Sequence, residues 1–361
     1  MDAKKRWQEA QQFLKDATSE HTHIFHDSDA DGIGAGLLLV HALTDLGVPV
    51  SSTTRANRED ILSREELELV KSSYDPQRII VVDLNPKDYG AYKDLRELFT
   101  TAEFLILDHH RVTEYADAVF LHPEELFGID GAKYCSAKLA LDLASSVGEV
   151  ADYEWLAAVG INGDRNTEYF SDVIIRSLEH EGFPVPTDLS KGETAVVNEA
   201  ILCCSAVGDA ALYDYVTALK GARTLREAAL LDNPHPEVRS YVEELVEQSS
   251  SALASGERVN WVFIDSELSV TGWVGNVLSA QRPGEVFVLY REKKGGYSMS
   301  FRCQDSVVHC GEVADTCASR HGGAGGGHRP AAGAWVPKEE FSAYKACVQE
   351  AVKQAFSDLD A

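Results

Sequence analysis

The chain has 361 residues, 58 of them acidic and 33 basic, for a formal net charge of −25 at neutral pH. That length supports two domains with real cores, contains no apolar run near the ~20 residues a membrane span needs, and argues against a surface that attracts polyanions broadly. Seven cysteines, an odd number without framework spacing, exclude a disulfide-stapled secreted scaffold and point to a reducing cytoplasm.

The first 20 residues carry a charged amphipathic helix pattern unlike a signal peptide. The apolar run Thr22-His23-Ile24-Phe25 then leads into His26-Asp27-Ser28-Asp29-Ala30-Asp31-Gly32, and a helix pattern occupies 33–46. A second helix pattern over 64–72 precedes the run at 78–82, which ends at Asp83. After a helix pattern over 92–99, Phe104-Leu105-Ile106-Leu107 leads into Asp108-His109-His110. A further helical stretch, 152–159, comes before Asn162-Gly163-Asp164.

The apolar runs read as fully buried strands, and their alternation with helices predicts an α/β domain with a doubly wound parallel sheet. Ligands bind outside the carboxyl ends of such strands, where Asp27, Asp29, Asp83 and His109 would all emerge. Asp164 lies in an Asn-Gly turn, and its membership rests on order along the chain. Taken singly, each cluster reads as a turn, a helix cap or a solvated histidine pair. Together, each just after a strand, they predict a two-metal hydrolytic centre.

The first domain is predicted to end near Gly182-Phe183-Pro184-Val185-Pro186, giving a metal-binding catalytic domain over 1–187. A helical connector over 188–254 contains helices at 194–219 and 236–254, separated by Asp232-Asn233-Pro234-His235-Pro236. A smaller α/β domain over 255–361 opens with strands at 259–264, 285–290 and 297–302 and closes on a helix over 338–356. The glycine run ending in Gly325-Gly326-Gly327-His328 has the composition of an anion nest, because no side chain blocks its backbone N–H groups. Arg302, on a strand upstream, offers a bidentate fork for phosphate, and His328 a further donor. Cys303, Cys310 and Cys317 recur every seven residues beside His309 and His321, a spacing that fits no standard zinc pattern and reads as buried or incidental thiols.

In this order, Asp-x-Asp-Ala-Asp-Gly, an isolated strand-end Asp, Asp-His-His and Gly-Asp resemble the DHH phosphoesterase superfamily. Ser300-Phe301-Arg302 and the segment from Gly325 to Gly333 resemble the substrate-binding signature of its DHH-associated C-terminal domain. The first motif is most similar to RecJ-like nucleases, and Phe127-Gly128-Ile129-Asp130-Gly131 with Ser136 to archaeal members. The resemblance implies two divalent ions, commonly Mn²⁺ with Mg²⁺ as the alternative. Asp83 would bridge them, Asp27 would bind one ion, and Asp29, His109 and Asp164 the other. His110 and Arg111 would face the scissile phosphate, with metal-bound hydroxide attacking. Some branches add a histidine four residues before the first aspartate, the position of His23. RecJ-like members do not keep one there, and the neighbouring His26 would point away from Asp27 in an extended segment. Between the two, His23 is the favoured metal ligand. Asp31 would orient a ligand or cap the helix. His122-Pro123 stands where the family often has Asn-Pro. Arg302, Gly325, Gly326, Gly327 and His328 would bind the substrate phosphate, with the scissile bond in an interdomain cleft.

These readings predict a cytoplasmic exonuclease acting on single-stranded DNA or RNA, with replication or repair proteins as further partners. The alternatives are a small-substrate phosphodiesterase or phosphatase (for dinucleotides, cyclic dinucleotides or a 3′-phosphoadenosine) and a replication-associated docking subunit. The acidic charge fits either a halophilic cytoplasm, where salt screens it, or a short substrate that meets only a locally positive cleft.

Overall fold

The computed structural model describes residues 3–16, 21–54, 62–84, 89–110, 118–253, 258–305 and 307–357. It separates into two compact units, Met1–Pro234 and His235–Ala361. In the first, α1 (Ala3–Lys15) precedes a five-stranded sheet made of β1 (Thr22–His26), β2 (Val50–Thr54), β3 (Arg78–Val82), β4 (Glu103–Leu107) and β5 (Val119–Leu121). All its pairings are parallel, and the strand order is β2-β1-β3-β4-β5. The chain leaves β1 for β2 through α2 (Ala30–Asp45), then crosses back to β3 through α3 (Arg64–Tyr74). The strand order therefore reverses between β1 and β3, the position where open α/β sheets leave a crevice for ligands.

Both faces of this sheet are covered, which is why its central strands are apolar at every position. Ile24, Ile80, Val82, Leu105 and Leu107 pack with α2, α6 (Ser136–Ser145) and α7 (Glu154–Gly163). On the other face, Phe25, Ile79, Val81, Phe104 and Ile106 meet α3 and α4 (Tyr89–Leu98). Each such burial contributes about 1.5–3 kcal/mol against exposure. The polar strand β2, Val-Ser-Ser-Thr-Thr, carries no apolar signal; it is held as an edge by its parallel register with β1. The short helix α5 (Pro123–Phe127) follows β5, and α8 (Ser171–His180) follows α7.

The stretch 188–254, read from sequence as a connector, divides between the units. The run expected as one helix over 194–219 breaks at Gly208, whose φ is +147°, into α9 (Glu193–Val207) and α10 (Asp209–Gly221). With α11 (Leu225–Ala229), these helices bury Val197, Ile201, Leu212, Leu219 and Leu225 in the first unit's core. In the second unit, α12 (Glu237–Ala252) packs on α13 (Thr271–Gln281).

The second unit's sheet runs β6-β7-β8-β10-β9, from β6 (Val259–Phe263), β7 (Val286–Lys293), β8 (Gly296–Arg302), β9 (Ala324–Gly327) and β10 (Ala331–Pro337). Only the β6–β7 pairing is parallel. Here the glycine run corrects the expectation of an anion nest: it is an edge strand. Close packing with α14 (Cys310–Arg320) requires glycine on both sides, since a Cβ on Gly325 would lie 2.5 Å from the Ala314 carbonyl and one on Gly311 of the helix 2.1 Å from that of Gly327. Cys317 of α14 is also no incidental thiol, being disulfide-bonded to Cys347 of α15 (Phe341–Ser357). Cys303 and Cys310 remain buried free thiols, and no metal-type cluster forms around them among the described residues. Among those residues no helix is long and apolar enough to cross a membrane.

Candidate metal centre

The acidic clusters leave adjacent strand ends of the first unit. Beyond β1, the Asp27 N–H donates to the Val82 carbonyl at 3.3 Å; beyond β3, the Asp83 N–H donates to Leu107 at 2.9 Å. Asp83 has φ +60°, left-handed backbone that costs a non-glycine residue about 1 kcal/mol or more and turns its carboxyl off the strand direction. Asp29 N-caps α2, one of its oxygens accepting from the N–H groups of Asp31 and Gly32 at 3.0 Å each. Gly32 allows this tight turn: a Cβ there would fall 2.7 Å from Asp27.

Four ligand-type groups result in this unit: Asp27, Asp29 and Asp83; Asp31, Asp83 and His109; Asp83, Asp108 and His110; and Asp31, Cys135 and Asp164. Asp83 belongs to three of them. Of the sequence candidates, Asp27, Asp29, Asp83, His109, His110 and Asp164 are thus brought together, Asp29 grouping with Asp27 rather than with His109. Asp164 ends α7, with its N–H on the Gly160 carbonyl at 2.9 Å. Arg111 lies outside the described residues.

His23 is a correction. Four residues of strand span roughly 13 Å, so a mid-strand side chain does not reach the acidic edge. Its ring is fully buried against β2 instead, Nδ1 2.7 Å from the Ser51 hydroxyl and Nε2 3.1 Å from that of Thr53. Burial lowers its pKa to about 3, aided by His21 and His26. His26 is also buried, Nδ1 2.9 Å from the Asp27 carbonyl, its ring over Gly36, where a Cβ would intrude to 2.5 Å.

The His109 ring is fixed by a contact that the sequence did not disclose. Nδ1–H donates to the Gly131 carbonyl at 2.8 Å, which turns Nε2 toward Asp83 Oδ1 at 3.3 Å and Asp31 Oδ2 at 3.7 Å. A backbone carbonyl on one imidazole nitrogen sets the tautomer that offers the other to a cation. Gly131 itself is pressed on the His109 carbonyl, so closely that a Cβ would lie 1.8 Å away. His122 bridges similarly: Nε2–H donates to the His110 carbonyl at 2.8 Å while Nδ1 accepts from Glu124 N–H at 3.2 Å.

Asp31 neither caps its own helix nor stays peripheral. Its buried carboxylate accepts from Ser136 N–H and Ala137 N–H, 2.8 Å each, at the start of α6. Ser136 Oγ donates to Asp83 Oδ1 at 3.0 Å. Asn166, missed in the sequence, is buried and joins three segments: Oδ1 accepts from Cys135 N–H, and Nδ2 donates to the Ala132 and Asp164 carbonyls.

Buried carboxylates crowd the site and shift one another's ionisation. Burial, then Asp31 and Asp29, raise the Asp83 pKa well above the usual carboxylate range. Burial, then Asp164, lift Asp31 to about 6. Burial opposes charge on His109, but Asp164, Asp83 and Asp31 outweigh it and hold the imidazole well above its usual value. For Asp108 burial acts upward too, and His110 and His109 overcome it, leaving about 2. Like-charged oxygens gathered around one aimed imidazole suit a divalent cation in a mixed oxygen and nitrogen shell.

In the second unit, Arg302 ends β8 opposite Ala331, and His328 N–H donates to the Ala331 carbonyl at 2.8 Å. These two candidates therefore lie at the same end of β10, where the glycine strand also ends at Gly327. The Arg302 guanidinium donates to Asn276 Oδ1 and to the Phe301 carbonyl. It lies close over Gly272, where a Cβ would be 3.1 Å from Nη2.

The DHH family, N-terminal domain, matches residues 21–161, and the DHHA1 domain matches 267–356. The chain belongs to the DHH superfamily. Among solved structures, this DHH chain is similar to RecJ in complex with Mn²⁺ from Thermus thermophilus, with 18% identity, TM-score 0.73, and coverage of 97% of this chain and 55% of that one. It is also similar to an exonuclease RecJ bound to manganese, with 19% identity, TM-score 0.67, and coverage of 96% and 94%. A DHH domain described as a member of the s1p family of ribosomal proteins gives 16%, 0.72, and coverage of 97% and 91%. The DHH chain thus spans about half the length of the Thermus protein, and the likeness is one of fold: RecJ-like, in two domains. No curated protein matches the sequence.

Proposed function

We propose that this DHH protein is a two-metal phosphodiesterase that hydrolyses single-stranded DNA or RNA from strand ends, or short oligonucleotides. The observation that carries the reading is the His109 ring, locked by Gly131 with Nε2 toward Asp83 and Asp31. Asp27, Asp29, Asp83, His109 and Asp164 would hold the ions, with Asp31 at the same shell. Manganese is favoured by the ligand chemistry and by the two manganese-bound RecJ structures of like fold. Such ions supply charge for phosphoryl oxygens and lower the pKa of bound water.

The chain's own groups do the rest. Ser136 holds the Asp83 carboxylate from one side, and the α6 amides hold Asp31. His110 Nδ1 is 2.9 Å from Asp108 Oδ1, which orients the ring for contact with a phosphate oxygen. Arg302 and His328 bind substrate phosphate in the second domain, Arg302 being preset by Asn276.

The test uses purified protein, Mn²⁺ and 5′-labelled single strands of two to about thirty nucleotides. Stepwise ladders on long strands are expected, abolished by Asp83→Ala or His109→Ala in folded variants. Near-normal turnover in either variant overturns the metal assignment. Cleavage confined to di- to tetranucleotides selects the small-substrate reading instead, which the net charge of −25 favours.

A further inference from the structure

Of the seven cysteines, two are joined and lie at the wall of a cavity that the proposed activity does not use. Cys317, in the last turns of α14, and Cys347, in the middle of α15, form the bridge. Both line a cavity of about 530 Å³, a volume within the range of small-ligand sites. Cys317 is 1% exposed, whereas Cys347 is half-buried and opens toward the cavity. Arg320 supplies a cation at the same wall, and Glu312 and Glu350 supply carboxylates. That charge pattern complements a zwitterion.

We propose that Cys317–Cys347 is a thiol-exchange site that takes a small amino-acid-type thiol, one carrying both a carboxylate and an ammonium group. The thiolate attacks Cys347 Sγ, the sulfur of the less buried partner. The S–S bond breaks, and its electron pair leaves on Cys317 Sγ, which takes a proton from water. A second thiol molecule attacks the sulfur of the bound thiol, releasing the oxidised dimer of the small thiol and leaving Cys347 reduced. Two thiols are oxidised, and the bridge accepts two electrons.

The bridge is placed to act on the candidate phosphate-binding end of the sheet through α14. At the other end of that helix, Cys310 N–H donates to the Arg329 carbonyl at 2.9 Å and Gly311 N–H to the His328 carbonyl at 3.1 Å. The helix also lies directly on Gly325 and Gly327. Opening the bridge removes the covalent tie between α14 and α15 and loosens α14 against β9, the strand that leads into His328. The regulatory part of this inference rests on the proposed role of Arg302 and His328; the exchange chemistry does not.

The experiment uses the full chain and glutathione as the probe. Native protein is incubated with reduced glutathione, alkylated and mapped by mass spectrometry, with 2-mercaptoethanol, which lacks the charged groups, as comparison. Reduction of Cys317 and Cys347 in the folded protein is expected, with glutathione faster than mercaptoethanol at equal thiolate concentration. A bridge opened only after unfolding overturns the proposal, as do two free thiols in protein purified without reductant. Equal or inverted rates for the two reagents overturn the zwitterion assignment. With oxidised glutathione, Cys317→Ser is expected to form its adduct on Cys347 about tenfold or more faster than Cys347→Ser does on Cys317, following access; the reverse order excludes Cys347 as the attacked sulfur. Amide exchange at Cys310 and Gly311 in the wild-type protein should quicken by about tenfold or more on reduction, and unchanged exchange removes the coupling. None of these readouts needs substrate. An inactive protein whose bridge opens as described would therefore sink the phosphodiesterase reading and leave the exchange site standing.

Discussion

Gly131 makes the sharpest claim at the level of single residues. It carries no chemistry, yet its carbonyl sets the tautomer of His109, and its missing side chain lets that carbonyl approach. Gly131→Ala should lower Mn²⁺ affinity by about 10- to 100-fold, the usual effect of losing a partner that orients a metal-binding histidine. Gly148→Ala, whose Cβ would meet nothing closer than 4.0 Å, should leave affinity unchanged; calorimetric titration of the two folded variants decides. His23 makes the opposite claim. His23→Gln should leave Mn²⁺ affinity intact and alter acid stability. Folded His23 titrates near 3 and the unfolded residue near 6.5, so between those values the unfolded chain binds more protons. Its contribution is fully present above pH 6.5 and is lost as pH falls, by up to about 1.4 kcal/mol per unit. Urea melts at pH 7 and pH 5 should show a smaller loss in the variant than in wild type, with His26, held near 4 mainly by burial, contributing to both. A tenfold loss of metal affinity in His23→Gln would restore it as a ligand. The strand-end residues Asp27, Asp83 and His109 were legible because each follows an apolar run. Gly131, Ser136 and Asn166 act through contacts across 22 to 105 residues of chain; Gly131 and Ser136 stood in a family-like stretch, but no local pattern names the partner that each one holds.

Among the elements, legibility followed apolarity. The buried strands β1, β3 and β4 were plain because both faces of a covered sheet demand Ile, Val, Leu and Phe. Strand β2 was hidden because its Ser and Thr side chains bond to histidines of β1 rather than to a core. Strand β9 was hidden because a glycine run reads as a turn able to cradle an anion; here Gly325 is what lets α14 lie close on the sheet. The same contact gives a test of the second domain. Gly325→Ala would drive a Cβ to 2.5 Å from the Ala314 carbonyl, so α14 must move, and the domain should unfold at lower urea while the first unit keeps its transition. Reducing Cys317–Cys347, which closes a loop 30 residues long, should lower the stability of the same transition by roughly 2–4 kcal/mol. Urea titrations with and without reductant, followed by the fluorescence of Trp261, Trp273 and Trp335 after replacement of the first unit's tryptophans, separate the two units.

For the molecule as a whole, the net charge of −25 opposes the approach of a long polyanion. Nucleic-acid binding through Lys and Arg weakens with salt, because each neutralised phosphate releases counterions. Here the distant acidic surface adds a repulsive contribution of opposite sign, and salt removes it first, since the screening length falls from about 10 Å at 0.1 M to about 3 Å at 1 M. A dinucleotide spans little of that surface and should feel little of the repulsion. A strand of about thirty nucleotides reaches well past a Debye length and should feel most of it. The expected result is therefore a difference between substrates: as salt rises from 0.1 to 1 M at fixed Mn²⁺, kcat/KM for the long strand should improve relative to that for the dinucleotide. A long-strand rate that falls with the steep log–log slope of multiple phosphate contacts, while the dinucleotide rate holds, would mean that a local basic track governs binding and that the acidic surface is incidental to substrate choice.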